Sequence, residues 1–256
     1  MRPGRSVRLV SVSVTQLAVL ALSVLGSVGG LLVASALLLF HKDARARVVP
    51  WLVSYAVGTL LGAAFLKLLP EALDELPPPF AFGAVLAGIL TFFILEKLVV
   101  WRHCHDEGTC DVHQSTATLV IVGDAVHTFT DGVVIAATAL VSLPLGLTTA
   151  LAVTAHEIPQ QAGDVAVLLS AGYSRSRALL LNAYAASGAL VGAIAMLTFG
   201  AKVPSVVPYV VAFAAGNFIY VAMADLIPHL HRGSATTGAV RQVLLIAAGV
   251  LTIALL

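Results

Sequence analysis

Eight side chains able to hold a cation or carry a proton fall within two apolar stretches of this sequence. Asp124, His127 and Asp131 are spaced i, i+3, i+7, so one helical face carries all three. His156, Gln160 and Asp164 follow at i, i+4, i+8, with Glu157 and Gln161 beside them. Two imidazoles with one or two carboxylates form a donor set suited to zinc, which takes four N, O or S ligands in a tetrahedron. Such an ion neutralises the acids and offsets their desolvation. The competing reading is a hydrogen-bonded His/Asp network that only joins helices. Ionisable groups at membrane depth cost roughly 2.5–3.5 kcal/mol each on insertion scales. Their clustering on two neighbouring segments favours a site over glue.

Other residues extend the pattern. Pro159 cannot donate to the Ala155 carbonyl, so its helix bends and frees a backbone oxygen. Glu71, Asp74 and Glu75 read as an acidic mouth that concentrates cations. On the other side, Asp124, Asp164, Glu96 and Asp225 read as weak stations leading an ion out. His103, Cys104, His105, Cys110 and His113 crowd one polar loop without the spacing of a structural zinc finger. They suit capture or sensing of exiting metal, and His229 and His231 could share that role.

Positioning such groups in oil calls for membrane-spanning elements. Of 256 residues, 59% are hydrophobic and 11% charged, and the mean hydropathy is +0.99. Soluble domains carry about 25% charged residues, so lipid is the fitting solvent. One span takes about 20 apolar residues. The expectation is a single all-α integral membrane domain over residues 1–256, with eight transmembrane helices at about 12–40, 50–69, 80–101, 116–140, 145–170, 177–200, 205–227 and 239–256. The segments between them read as short loops: His41–Val49, Glu71–Glu75 with the prolines that follow, Trp101–Ser115, Ser142–Pro144, Gly172–Arg177, Val203–Pro208 and His229–Gly238. The fourth and fifth helices are antiparallel neighbours, and His127 and His156 lie near the middle of each.

Lysines and arginines set the orientation. Lys42, Arg45, Arg47, Lys97, Arg102, Arg175, Arg177, Arg232 and Arg241 fall after the odd-numbered spans, which places those loops in the cytoplasm and both termini outside. Arg2, Arg5 and Arg8 argue the other way and are outvoted. Apolar runs without strict alternation exclude a β-barrel, the near-zero net charge speaks against nucleic acid, and no phosphate-binding loop is present to couple ATP. No internal repeat is obvious.

His127-Thr128-Phe129-Thr130-Asp131-Gly132 with His156-Glu157-Ile158-Pro159-Gln160-Gln161-Ala162-Gly163-Asp164 resembles the ZIP (Zrt/Irt-like) family of divalent metal transporters, as a bacterial member. Leu68-Leu69-Pro70-Glu71, Glu96-Lys97-Leu98 and Asp225-Leu226-Ile227-Pro228 extend the resemblance over most of the chain. It implies eight helices in a 3+2+3 arrangement, both termini outside, and a metal site between helices four and five. It makes His127, Asp131, His156 and Gln160 the central ligands, with Glu157 and Thr128 flanking a second site. The pattern departs at Thr128, where the family usually has Asn, at Gln160-Gln161, often His-Glu, and at Lys67, often His.

The function expected is transport of a divalent metal, zinc first, with iron, manganese, cadmium and cobalt also admissible, into the cytoplasm by alternating access. The partners are the metal ion and the bilayer of the cell membrane. Small residues such as Gly188 and Gly192 allow close helix contact within or between chains, a homodimer included. Two alternatives are an intramembrane zinc metalloprotease, for which Gln160 stands where His-Glu-x-x-His needs its second His, and a non-transporting metal sensor.

Overall fold

The computed structural model describes residues 12–37, 42–101, 112–231 and 238–256, all-helical among those residues. In hydrocarbon a backbone must satisfy its own hydrogen bonds, and helices do so within one segment. The helices are α1 (Val12–Leu37), α2 (Lys42–Ala63), α3 (Leu69–Glu75), α4 (Pro78–Trp101), α5 (Val112–Val141), α6 (Leu143–Ser170), α7 (Arg175–Ala186), α8 (Gly188–Lys202), α9 (Val207–Tyr220), α10 (Ile227–His231) and α11 (Ala239–Leu255). Six described stretches are long and apolar enough to cross a membrane: Gln16–Ala36, Arg47–Glu75, Pro78–Leu95, Ile121–Val141, Arg175–Gly200 and Pro204–Leu226. Polar α6 is not among them, and α11 is a shorter apolar helix.

Several expected loops are helical. Chain from Lys42 to Val49 already belongs to α2, with Pro50 inside the helix. The acidic Glu71–Glu75 stretch is the end of α3, which carries Pro70 at its second position. Val112 to Ser115 open α5. Between α5 and α6 the connection shrinks to Ser142, whose hydroxyl caps α6 by accepting from the Leu145 N–H. Gly172, at φ +87°, makes the turn after α6 that a side chain would strain.

Two π-helical turns interrupt the rods. Ala64–Leu68 joins α2 to α3, and Val221–Leu226 joins α9 to α10. At each, the residue before a proline bonds five residues back: Leu69 N–H to the Ala64 carbonyl before Pro70, and Ile227 N–H to the Ala222 carbonyl before Pro228. Widening the helix there relieves the clash of the proline ring with the carbonyl four residues earlier. The shared placement is an internal echo that the amino-acid sequence hides.

Helices α1, α5, α6, α7 and α8 pack mainly on one another, and α2, α3, α4, α9, α10 and α11 form a second body. The two meet chiefly where α2 touches α6 and where α9 and α4 touch α5. Alanine is the commonest residue of the buried core. Between helices in lipid no hydrophobic force acts, so small residues that let backbones approach supply the packing. Gly132 of α5 and Gly192 of α8 are among the closest approaches: a methyl on either would overlap a backbone carbonyl oxygen, of Ala189 or Phe129. Gly188 and Gly192 are therefore spent on contacts within the chain.

Candidate metal centre

Helices α5 and α6 cross with His127 and Asp131 facing His156 and Glu157. On α5, four residues bring His127 and Asp131 onto one face, their Nε2 and Oδ2 atoms 3.6 Å apart. His127 Nε2 lies 3.2 Å from His156 Nε2 and 3.7 Å from Glu157 Oε1. His156 Nε2 lies 3.2 Å from Asp131 Oδ2 and 4.0 Å from Glu157 Oε1. All four residues offer a ligand atom within 4.8 Å of one another. A tetrahedron of donors about 2.0–2.1 Å from zinc has edges of about 3.3–3.4 Å, close to most of these separations.

The hydrogen bonds say what the donors are free to do. His156 Nδ1 lies 3.1 Å from the Ala152 carbonyl. That oxygen only accepts, so Nδ1 carries the proton and Nε2 offers a lone pair inward. Both oxygens of Asp131 and Oε1 of Glu157 are buried and have no hydrogen-bond partner. Asp131, His156 and Glu157 are at most 1% exposed. Asp131 Oδ2 and Glu157 Oε1, neither with a hydrogen-bond partner, face two imidazole nitrogens in the buried interior. A divalent cation among the four atoms would satisfy both oxygens.

The remaining expected residues fall into separate places. Gln160 places its amide nitrogen 3.4 Å from Asp124 Oδ1. Asp124 and Asp164 each keep one buried oxygen without a partner, and Asp225 is exposed. Thr128 does not flank the cluster: its hydroxyl donates to the Ala185 carbonyl of α7 at 2.8 Å. Gln161 lies behind Glu157 and bonds to it. Glu96 is on α4 and His113 in the first turn of α5. His103, Cys104, His105 and Cys110 lie outside the described residues.

Some site residues carried no signal in the sequence. Phe92 of α4 meets the His127 ring edge-on at 5.7 Å, and Phe218 of α9 meets that of His156 at 6.2 Å. Both imidazoles are thus packed by aromatics from the opposite body. On α1, Gly30 passes so near that a Cβ there would lie 2.9 Å from Glu157 Cβ. The Gly29-Gly30 pair inside an apolar span was the available hint.

Comparison with known proteins points to one family. A family model described as ZIP Zinc transporter matches residues 12–118 and 101–256. Zinc transporter ZIP13 of Pongo abelii is 35% identical over 232 residues, covering 85% of this chain and 69% of the relative. That of Homo sapiens is 30% identical, covering 85% and 73%. Zinc transporter YKE4 of Saccharomyces cerevisiae is 28% identical, covering 78% and 66%. These relatives are eukaryotic and lend no support to a bacterial origin.

Proposed function

The chain belongs to the ZIP zinc transporter family, and from that premise we propose that it carries zinc across a membrane on the donors His127, Asp131, His156 and Glu157. It is a transporter and not an enzyme. The observation that carries the reading is that Asp131 Oδ2 and Glu157 Oε1, buried without hydrogen-bond partners, lie within 4.0 Å of two imidazole nitrogens inside the protein.

The site takes one ion. Thr128 turns its hydroxyl to Ala185 and Gln160 its amide nitrogen to Asp124, which supports one ion rather than two. Asp124, Asp164 and Asp225 form the next stations on the cytoplasmic side. Eight membrane-crossing rods arise when α7 joins α8, each π turn joins its neighbours, and α6 and α11 are counted. They are grouped 3+2+3 in chain order, both termini outside the cell membrane, as the lysine and arginine distribution supports. All four donors ride on α5 and α6, within one of the two packed bodies. Alternating access follows if that body shifts against the other and exposes the site first outside, then inside. Iron, manganese, cadmium and cobalt are tested as competing cargo, since donor affinity alone rarely selects among them.

Purified protein in liposomes holding a zinc indicator tests the function. Zinc entry by the wild type, lost in Asp131→Ala and His156→Ala with both variants still inserted, is the expected result. Uptake by both variants at the wild-type rate refutes the site. No uptake by a wild type that still binds zinc favours the sensor reading.

A further inference from the structure

Glu157 has two oxygens with different fates. Oε1 faces the imidazoles and is unpartnered. Oε2 accepts a hydrogen bond from the amide of Gln161, one turn along α6. The same amide nitrogen donates to the Ser27 carbonyl of α1 at 3.3 Å. A carbonyl only accepts, so the nitrogen must face it, and its two hydrogens serve the two acceptors. Oε1 of Gln161 is left buried without a partner. Keeping both donors on this side at the cost of an unpaired oxygen indicates that the donors matter. Gln161 is itself held by Asn182 of α7, whose side chain donates to its backbone carbonyl at 3.1 Å. Gly30 closes the α1 side of Glu157.

Resting on the metal site proposed above, we infer that Gln161 is a positioning residue that makes Glu157 a one-oxygen ligand and thereby selects for zinc over larger divalent cations. Zinc is satisfied by four donors at about 2.0–2.2 Å. Larger, harder ions such as manganese prefer more oxygen donors and gain from a carboxylate that turns both oxygens inward. With Oε2 tied to Gln161 and through it to α1, Glu157 cannot make that turn. Discrimination then comes from a residue that never touches the ion.

Equilibrium binding of zinc and of manganese to purified wild type, Gln161→Met and Gln161→Glu tests this. Both variants lack the amide donors, one by an apolar chain of similar length and one by a near-isostere. Zinc should weaken by roughly 10–100-fold, the usual effect of losing an outer partner of a metal ligand. Manganese should hold or tighten, so the preference narrows by at least tenfold. Bound cobalt(II) reads geometry independently of transport: intense four-coordinate visible bands in the wild type, and weaker bands of higher coordination in the variants. Unchanged cobalt spectra and an unchanged zinc-to-manganese ratio in the variants overturn the inference while leaving the site intact. A wild type that binds manganese as tightly as zinc overturns it without any variant. Zinc binding by the wild type that Asp131→Ala and His156→Ala do not alter removes the site itself.

Discussion

Replacing Asp131 by Asn should stabilise the metal-free protein and shrink the extra stability that zinc confers. In the metal-free protein both carboxylate oxygens are buried and unpaired, and Oδ2 sits 3.2 Å from His156 Nε2. With Nδ1 of His156 donating to Ala152, that Nε2 is a lone pair facing an oxygen. An amide NH2 in the place of Oδ2 turns the repulsive contact into a hydrogen bond and removes a buried charge. Relief of an unsatisfied buried group is worth about 1–3 kcal/mol, so the metal-free variant should be the more stable by that amount. Zinc at 100 times its wild-type Kd stabilises the wild type by about 2.7 kcal/mol. If losing the anionic donor weakens binding a hundredfold, the variant gains only about 0.4 kcal/mol at the same concentration. Chemical unfolding in detergent, with and without zinc, measures all four values. A variant less stable than wild type without metal, yet stabilised by zinc to the same extent, would refute both the tautomer assignment and the role of Asp131.

Three further perturbations separate packing from chemistry. Gly132→Ala should deplete folded protein, because the new methyl overlaps the Ala189 backbone, whereas Gly163→Ala, with nothing within 4 Å, should be tolerated or stabilise by about 0.5–1 kcal/mol; yield and unfolding midpoints decide. Thr128→Val should lower stability by about 0.5–1.5 kcal/mol through the lost bond to Ala185 while leaving the zinc Kd unchanged; a tenfold weaker Kd would return Thr128 to the site. Gly172→Ala should destabilise by about 1–2 kcal/mol, read by unfolding, since its φ of +87° lies in the left-handed region.

How much of this could be read from residues alone depends on the local geometry. On α5 the spacing of His127 and Asp131 sufficed, because an uninterrupted helix stacks positions four apart on one face. On α6 the same rule favoured His156, Gln160 and Asp164 as a face, yet Glu157 shares the cluster with His156, while Gln160 donates to Asp124. The pocket is bounded by α1 as well as α5, so the inward sector spans the roughly 100° between two consecutive residues, His156 and Glu157, rather than one stripe. Long-range packing decides that, and no local spacing encodes it. The π turns escaped for a related reason: Pro70 and Pro228 announce a disturbance, but whether a helix kinks, breaks or widens depends on its neighbours. Charge placement and hydropathy, properties of whole segments, carried the membrane assignment.

The glycine contacts between α5 and α8 have a mechanical consequence. With backbone lying against backbone at Gly132 and Gly192, the two rods interlock like adjoining slats and leave no deformable side chain between them. A push delivered anywhere along α8 reaches His127 and Asp131 with little lost to soft padding, so the ion's cradle travels intact instead of being distorted on the way.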